Sequence, residues 1–137
     1  MGTIEDDLRS IGAVTAAFVT AFTMTGREAP NIDKLYDVFL PSARIVKAVS
    51  GSLEEYDVRG FVEPRRQLLT SGTIEDFKEF ETSAQTDVFG NIAQRSSRYA
   101  KSWRASGIEQ TGAGVKFVQL VRTPAGWKIV ALVWDDE

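Results

Sequence analysis

The sequence predicts an α+β fold in which three N-terminal helices pack on a mostly antiparallel sheet. Apolar residues recur at three- and four-residue steps over the first third of the chain, which is typical of amphipathic helices. From Ile74 onward, long apolar and aromatic segments alternate with short turns, which is typical of strands. Helices followed by a meander of strands predict a single α+β domain over the 137 residues.

The first helix is predicted from one apolar stripe. Thr3 is suited to cap its N-terminus, with Asp6 three residues later. Residues 25–30, with the sequence TGREAP, should end it. The stripe consists of Ile4, Leu8, Ile11, Val14, Phe18, Ala21 and Phe22.

A second, shorter helix is expected over residues 32–39. Asn31 is suited to cap this helix, and Pro41 should stop it. A short strand should then occupy residues 43–49. The serine-, glycine- and glutamate-containing segment 50–57 is predicted to be a solvated loop.

The third helix is predicted over residues 58–71, with Gly72 just beyond its end. Pro64 complicates this helix, because proline removes a hydrogen bond and clashes with the preceding turn. Two arrangements fit the sequence: the helix starts late with Pro64 in its first turn, or it bends at Pro64. Its apolar face carries Phe61, Val62, Arg65, Leu68 and Leu69.

Two hairpins are predicted in the second half of the chain. Segments 77–89 and 92–103 flank Gly90-Asn91, a pair suited to a tight turn. Segments 115–123 and 127–134 flank Pro-Ala-Gly, where proline fixes φ and glycine can take a left-handed conformation. Residues 105–114 contain three glycines and are predicted to form a mobile connection.

The last strand is apolar on both of its faces. Ile129, Ala131 and Val133 alternate with Val130, Leu132 and Trp134, whereas a strand with one wet face should alternate with polar residues. Since three helices can cover only one face of the sheet, we predict a homodimer through the other face. The alternative is a sheet curled around its own core.

The chain contains no histidine and no cysteine, which excludes several classes of site. Disulfides, zinc sites built on these residues, cysteine nucleophiles and histidine-dependent triads are impossible. Any proton transfer must use carboxylates, tyrosines or lysines. We predict no metal and no cofactor.

Charge and hydropathy exclude two kinds of partner. A net charge of −3, a pI near 5.1 and the lack of any basic cluster longer than Arg65-Arg66 argue against a nucleic-acid surface. Its longest apolar run, 129–134, is far shorter than the roughly 20 residues of a spanning helix. The start is acidic, unlike a secretion signal, so we expect a cytoplasmic protein without membrane or nucleic-acid partners.

Two segments carry a resemblance to a known family. They are 39–45 (FLPSARI), between the second helix and first strand, and 119–129, with QLVRT followed by GWKI. The chain resembles the nuclear transport factor 2-like superfamily, and within it the SnoaL-like group of small bacterial proteins. The resemblance implies a cone-shaped, cystatin-like roll whose curved sheet wraps a pocket closed by the helices, with a convex face that dimerises.

The resemblance also implies positions for catalytic groups, and this chain departs from them. Isomerase-like members place a tyrosine where Phe18 stands and a general-base aspartate near Lys47. Cyclase- and dehydratase-like members use histidine, which is absent. These departures favour binding over catalysis.

The predicted ligand-binding residues are Phe22, Tyr36, Phe61, Arg65, Gln119 and Trp134. The aromatic residues would converge inside the cone, and the alternative is that they simply fill the core. Trp134 and Tyr36 are the better candidates, because each carries a polar group that needs a partner. Arg65 lies on an apolar helix face, where it can grip a ligand oxygen, pair with Glu79 or Glu81, or reach water. Gln119 opposes Ala131 if the last turn has three residues and Val130 if it has four, and this register decides its face.

The candidate catalytic residues are Glu79, Glu81 and Tyr99. A two-residue turn at Gly90-Asn91 sets Glu81 opposite Ala100, diagonal to Arg98, and puts Tyr99 on the other face with Ser97. Paired carboxylates can act as acid and base, but a salt network is the more common arrangement.

Our leading hypothesis is a dimeric protein that binds a small, mostly apolar organic molecule carrying one anionic or carbonyl oxygen. The alternatives are a lyase or isomerase that uses carboxylate and tyrosine acid-base chemistry, and a domain that associates other proteins.

Overall fold

The computed structural model describes residues 3–24 and 29–137. Helix α1 spans Ile4–Thr20, α2 spans Leu35–Val38 after a 3-10 turn at Ile32–Lys34, and α3 spans Val58–Thr70. The strands are β1 (Phe39–Lys47), β2 (Glu54–Tyr56), β3 (Ile74–Phe89), β4 (Ile92–Ala105), β5 (Ile108–Thr123) and β6 (Gly126–Asp136). The predicted α+β fold, with three helices packed on one curved and mostly antiparallel sheet, is confirmed.

The sheet has the strand order β2-β1-β6-β5-β4-β3, and β1–β6 is its parallel pair. We call the face under the helices the inner face. It carries buried side chains of β4, β5 and β6, among them Tyr99, Val118 and Leu132. The opposite, outer face carries exposed side chains such as Phe117 and Val133.

Helix α1 begins as the sequence predicts. The Thr3 hydroxyl accepts from the backbone N–H of Asp6 at 3.1 Å, and the Asp6 carboxylate accepts from the N–H of Thr3 at 3.2 Å. This reciprocal pair satisfies two N–H groups that the helix leaves without partners. The helix ends at Thr20, before the predicted stop at 25–30, of which residues 25–28 lie outside the described residues.

The second helix is shorter than predicted, and strand β1 starts earlier. The Asn31 side chain makes no capping bond, so the predicted cap is wrong. Helical turns cover Ile32–Lys34 and Leu35–Val38, one residue short of the predicted end, and Phe39 already belongs to β1. Pro41 lies inside β1, where the pairing with β6 shifts register between Phe39 and Arg44. Proline is tolerated in a strand where the ladder of hydrogen bonds is interrupted.

Helix α3 runs through Pro64 from Val58 to Thr70, so the arrangement with a late start is wrong. Asp57 anchors the first turn by accepting from the backbone N–H of Gly60 at 2.7 Å. The segment before it is not entirely loop, since β2 pairs with β1 from Ile45 to Lys47.

Both predicted hairpins are present, but the connection between them is a tight turn. Phe89 pairs with Ile92 across Gly90-Asn91, as predicted. Ser106 and Gly107 turn the chain with φ of 51° and 76°, and β5 starts at Ile108. The prediction of a mobile connection at 105–114 is therefore wrong. Two residues with positive φ are typical of a hairpin turn whose twist matches its strands.

Candidate functional site

A cavity of about 180 Å³ lies between α3 and the inner face of the sheet. Its apolar wall includes Phe22, Phe61, Leu69, Phe77 and Trp134. Its charged groups are Lys47, Arg65, Lys101, Lys116, Glu79 and Asp136. Four cationic side chains and two carboxylates therefore line a cavity whose apolar wall is largely aromatic.

Arg65 reaches the cavity from the second turn of α3. Its Nη1 donates to the carbonyl of Phe61 at 3.0 Å. The guanidinium carbon lies 4.0 Å from the ring centroid of Phe61, 5.2 Å from that of Tyr56 and 5.6 Å from that of Trp134. Burial lowers the pKa of Arg65, while Tyr56, Glu54 and Glu79 act in the opposite direction. An arginine stays charged in such a setting, so the cavity has a desolvated cation on its helical side.

Lys116 extends from β5 across the ring of Tyr99 to Glu79. Its Nζ lies 3.4 Å from the centroid of the Tyr99 ring and 3.0 Å from Glu79 Oε2. Burial lowers the pKa of Lys116 and the carboxylate of Glu79 opposes that shift. The pair is thus sealed under the helices, with Lys116 only 5% exposed.

A second ion pair closes the C-terminal edge of the cavity. Lys101 Nζ lies 3.3 Å from Asp136 Oδ2, and the Tyr99 hydroxyl donates to Asp136 Oδ1. Burial raises the pKa of Tyr99 well above its usual 10.0, and the Asp136 carboxylate raises it further. Tyr99 is therefore a neutral hydrogen-bond donor at ordinary pH.

Two glycines of β5 make this contact possible. Gly114 pairs with Tyr99 and Gly112 with Lys101, so neither β5 residue has a side chain between β4 and β6. A Cβ at Gly112 would lie 2.7 Å from Lys101 Cε, and one at Gly114 would collide with the Tyr99 hydroxyl. Glycine here permits close approach across a strand.

The cavity has a net surplus of positive charge. Glu79 neutralises Lys116 and Asp136 neutralises Lys101. Across residues 3–24 and 29–137, neither Lys47 nor Arg65 forms an ion pair with a carboxylate. The alternative in which Arg65 pairs with Glu79 or Glu81 is thus wrong. Two cations remain available to an anionic group.

Four predicted ligand-binding residues line this cavity: Phe22, Phe61, Arg65 and Trp134. The Phe61 ring packs edge-on against Trp134 at 5.8 Å and against Phe22 at 6.1 Å between centroids. The predicted convergence of aromatic rings therefore occurs under the helices. Glu79 and Tyr99, predicted as catalytic candidates, also line the cavity.

Tyr36 does not line the cavity, which corrects its predicted place inside the cone. Its hydroxyl donates to Glu63 Oε2 at 2.5 Å on the surface, and the residue is 39% exposed. Helix α2 is a single turn whose buried side is taken by Leu35 and Val38. Tyr36 between them consequently faces outward.

Gln119 also lies away from the cavity, on the outer face. It pairs with Ala131, as predicted for a three-residue turn, although Thr123 pairs with Gly126 around only two residues. The additional residue is Val130, which bulges from β6 between the pairs of Gln119 and Leu120. Gln119 borders a separate depression of about 370 Å³ on the sheet.

Glu81 does not form the predicted constellation with Arg98. Ser83 opposes Arg98 as predicted, but a bulge at this point places Glu81 opposite Tyr99 instead of Ala100. The bulge turns Glu81 to the inner face, where Arg95 and Ser97 donate to its carboxylate, each at 2.5 Å at the closest. Arg98 pairs with Glu137 instead, at 3.6 Å between Nη1 and Oε1.

The sequence matches no protein-family model, and no curated protein matches it either. Solved structures do match over nearly the whole chain. One is a nuclear transport factor 2-like protein with a cystatin-like fold from Novosphingobium aromaticivorans, with 17% identity, coverage of 96% and 82% of the two chains, and a TM-score of 0.67. The chain has the nuclear transport factor 2-like fold.

Two further structures with this fold differ in the role given to them. A candidate dehydratase of the nuclear transport factor 2-like family from Streptomyces avermitilis has 16% identity, coverage of 98% and 99%, and a TM-score of 0.77. A candidate calcium/calmodulin-dependent protein kinase II association domain from Xanthomonas campestris has 13% identity, coverage of 100% and 89%, and a TM-score of 0.68. At this identity they show the fold alone.

At the two positions for which the resemblance implies a catalytic group, this chain carries a different kind of side chain. Lys47 lines the cavity, so a cation stands where the resemblance implies a carboxylate base. Phe18 is buried in the core, with its ring 5.8 Å from that of Phe39 and stacked on Phe61 at 6.3 Å. It supplies no hydrogen-bond donor.

Three charged cavity residues were absent from the sequence-based prediction: Lys101, Lys116 and Asp136. A signal for Lys116 was present, because it shares the phase of the apolar residues Val118 and Leu120 on β5. For Lys101, the glycines at 107, 112 and 114 favour a loop prediction over 105–114, and a loop there hides the strand pairing that places Lys101.

Two absences hold for the described part of the chain. None of its helices is long and apolar enough to cross a membrane. It also contains no group of three or more acidic side chains placed to hold a metal ion.

Proposed function

We propose that the protein binds a small organic acid, about one ring in size, in the cavity under α3. The observation that carries this proposal is the pair of cations, Arg65 and Lys47, which line an aromatic cavity without ion-pairing to a carboxylate in residues 3–24 or 29–137. A buried cation is costly unless an opposite charge accompanies it. A ligand carboxylate supplies that charge.

The size of the cavity sets the size of the ligand. A cavity of roughly 150 Å³ lined by apolar side chains accommodates benzene. The cavity here measures about 180 Å³ and is lined by the rings of Phe61 and Trp134. A single aromatic or alicyclic ring with an acid group fits both the volume and the charge.

The lyase or isomerase alternative is less well supported by the same geometry. It would use Glu79 or Glu81 as a base and Tyr99 or Tyr36 as a donor. Glu79 is ion-paired with Lys116, and Tyr99 donates to Asp136. Glu81 is held by Arg95, and Tyr36 lies on the surface. Because each of these groups already has a protein partner, the geometry favours binding over abstraction of a proton from the ligand.

The test is calorimetric titration of the protein with benzoate and with its uncharged counterpart, benzamide. Wild-type protein should bind benzoate more tightly, because the carboxylate forms charge-assisted hydrogen bonds with Arg65. Arg65→Met should weaken benzoate binding by roughly 10- to 100-fold, from the loss of about 1.5–3 kcal/mol. The same substitution should leave benzamide binding nearly unchanged.

Arg59→Met is the matched control, since Arg59 is an exposed residue of the same helix. It should bind benzoate like the wild type. Equal affinities for benzoate and benzamide, or full benzoate affinity in Arg65→Met, would show that the cavity does not select an acid. Absence of binding by both ligands would rule out the proposed ligand class.

We also propose that two copies associate through the outer face of the sheet. Large apolar side chains are exposed there, including Phe89 at 83% and Phe117 at 59%. Large exposed apolar side chains that share one face of a sheet are typical of protein interfaces. A structure with the same fold is named a candidate association domain, which fits a sheet able to assemble subunits.

A further inference from the structure

Lys116 is the least exposed of the ion-paired side chains in the cavity, at 7% for its side chain against 21% for Lys101. It arises from the middle of β5, lines the cavity, and places its Nζ between the Tyr99 ring and Glu79. An ammonium group loses hydration in such a place. A lysine is therefore held at the floor of a cavity of ligand size, next to a carboxylate that can take its proton.

We propose that Lys116 is a nucleophile that forms a reversible imine with a carbonyl compound bound in the cavity. The inference rests on the proposed function, because the ligand is an organic acid that also carries an aldehyde or ketone. Arg65 and Lys47 hold its acid group, and Lys116 attacks its carbonyl carbon. The substrate class is thus a small oxo or formyl acid.

The chemistry balances without an oxidant or a further reactant. Glu79 accepts one proton from the Lys116 ammonium across their 3.0 Å contact, which leaves a neutral amine. The amine nitrogen bonds to the carbonyl carbon, the carbonyl π bond opens, and a proton moves from nitrogen to oxygen. Glu79 then returns its proton to the new hydroxyl, which leaves as water while the C=N bond forms.

The surroundings of Lys116 favour the neutral amine that this step needs. Burial lowers its pKa, and the charge of Lys101 lowers it further, while Glu79 and Asp136 act in the opposite direction. Lysines become nucleophilic when they are desolvated or placed near another cation. Both conditions hold here, whereas Lys34 and Lys78 are exposed to solvent.

The experiment traps the imine. Wild-type protein is incubated with 4-formylbenzoate and sodium cyanoborohydride, which reduces an imine to a stable secondary amine. Intact mass spectrometry should show one carboxybenzyl group per chain, and peptide mapping should locate it on Lys116. The labelling rate should saturate with probe concentration, and 4-methylbenzoate, which has no carbonyl group, should compete with it.

Controls separate this site from general lysine reactivity. Lys116→Arg should lose the adduct, and Lys78→Met should retain it at the wild-type rate. Because mapping uses the wild-type chain, the result does not depend on the folding of the variant. Labelling spread over exposed lysines such as Lys34, or a saturable adduct on Lys47 or Lys101 instead, would overturn the assignment.

Binding of 4-methylbenzoate, measured by calorimetry, distinguishes the two proposals. If it binds while Lys116 stays unlabelled, the acid-binding function stands and the imine is ruled out. If it neither binds nor competes and no saturable label appears on Lys116, both proposals are wrong. A saturable label on Lys116 that 4-methylbenzoate blocks supports both.

Discussion

Gly114 is the residue on which the polar floor of the cavity depends. Without a side chain it lets Tyr99 cross β5 and donate to Asp136 on β6. In Gly114→Ala the new methyl group would collide with both the Tyr99 hydroxyl and the Asp135 carbonyl oxygen, so both contacts must shift. We expect a loss of about 1–3 kcal/mol in the free energy of unfolding, the usual range for overpacking a filled interior.

Urea unfolding followed by tryptophan fluorescence measures this loss. Gly12→Ala is the matched control, because nothing lies within 4 Å of a Cβ at Gly12 in α1. Alanine is the better helix former, so Gly12→Ala should gain roughly 0.5–1 kcal/mol. Equal stability of Gly114→Ala and wild type would contradict the role given to Gly114.

Residue-level prediction worked where local chemistry decides the outcome. The Thr3 and Asp6 capping pair follows from residue type and spacing, and the structure forms it. The apolar phase of α3 places Phe61 and Arg65 on its covered face, and both line the cavity. Tyr36 was misplaced because its side depends on where a one-turn helix meets the next strand, which neighbouring residues do not determine.

At the scale of elements, Arg122 joins α1 to two hairpins. Its Nη1 lies 2.8 Å from Asp7 Oδ1 in the first turn of α1. Its Nε donates to Asn91 Oδ1 at 3.1 Å in the β3–β4 turn, and its guanidinium carbon lies 4.6 Å from the ring centroid of Trp127 at the start of β6. The contact thereby fixes the start of the helix over the end of the sheet.

This ion pair predicts a pH dependence of stability. The hydrogen bond from Arg122 holds the pKa of Asp7 below its usual 3.8 in the folded protein, although desolvation opposes it. The contribution of the ion pair to stability is complete above the pKa of Asp7 in the unfolded protein. It is lost as the pH falls through the lower pKa of Asp7 in the folded protein. Below pH 3.8, the free energy of unfolding should therefore fall less steeply with decreasing pH in Asp7→Asn than in wild type.

Urea midpoints across the acid range measure this effect. Asp37→Asn serves as the control, since Asp37 is exposed and takes part in no ion pair of the described residues. In Asp37→Asn the urea midpoint should fall with decreasing pH as it does in wild type. If the midpoint falls as steeply in Asp7→Asn as in wild type, the assignment of this pH dependence to Asp7 is contradicted.

Strand register explains why the sheet faces of some predicted site residues do not follow from the sequence alone. The hairpin turn at Gly90-Asn91 was correct, and so was the pairing of Ser83 with Arg98. One bulge beyond that point moved Glu81 to the other face, and a second bulge at Val130 restored the pairing of Gln119 with Ala131 despite a shorter turn. Because side chains alternate in a strand, one extra residue reverses every face after it.

At the scale of the whole molecule, topology was more predictable than the site. Helical periodicity, turn residues and the resemblance of the 39–45 and 119–129 segments are local features, and together they determine the α+β class and the nuclear transport factor 2-like fold. The cavity depends on α3 and five strands, β1, β3, β4, β5 and β6, meeting in space. Its ion pairs join residues 35 and 37 positions apart, such as Lys101 with Asp136 and Glu79 with Lys116, and no local pattern encodes them.

The outer face of the sheet gives the last prediction, because its apolar residues have no partner within the described chain. Phe117 projects from the centre of the face, between Val133 on β6 and Ser96 on β4. A second copy covering this face removes both aromatic and aliphatic surface from water. Sedimentation velocity at micromolar concentration should show a dimer, and Phe117→Glu should show a monomer with an unchanged circular dichroism spectrum.

A charge at the centre of such an interface is buried without a partner, so the dissociation constant should rise on the order of a hundredfold or more. Leu53→Glu is the matched control, since Leu53 is exposed at 71% but lies in the segment before β2 and not on this face. It should sediment as wild type does. If the wild type sediments as a monomer at these concentrations, the proposed dimer is overturned. The proposed ligand would not be affected, because the cavity beneath α3 uses side chains of the opposite face.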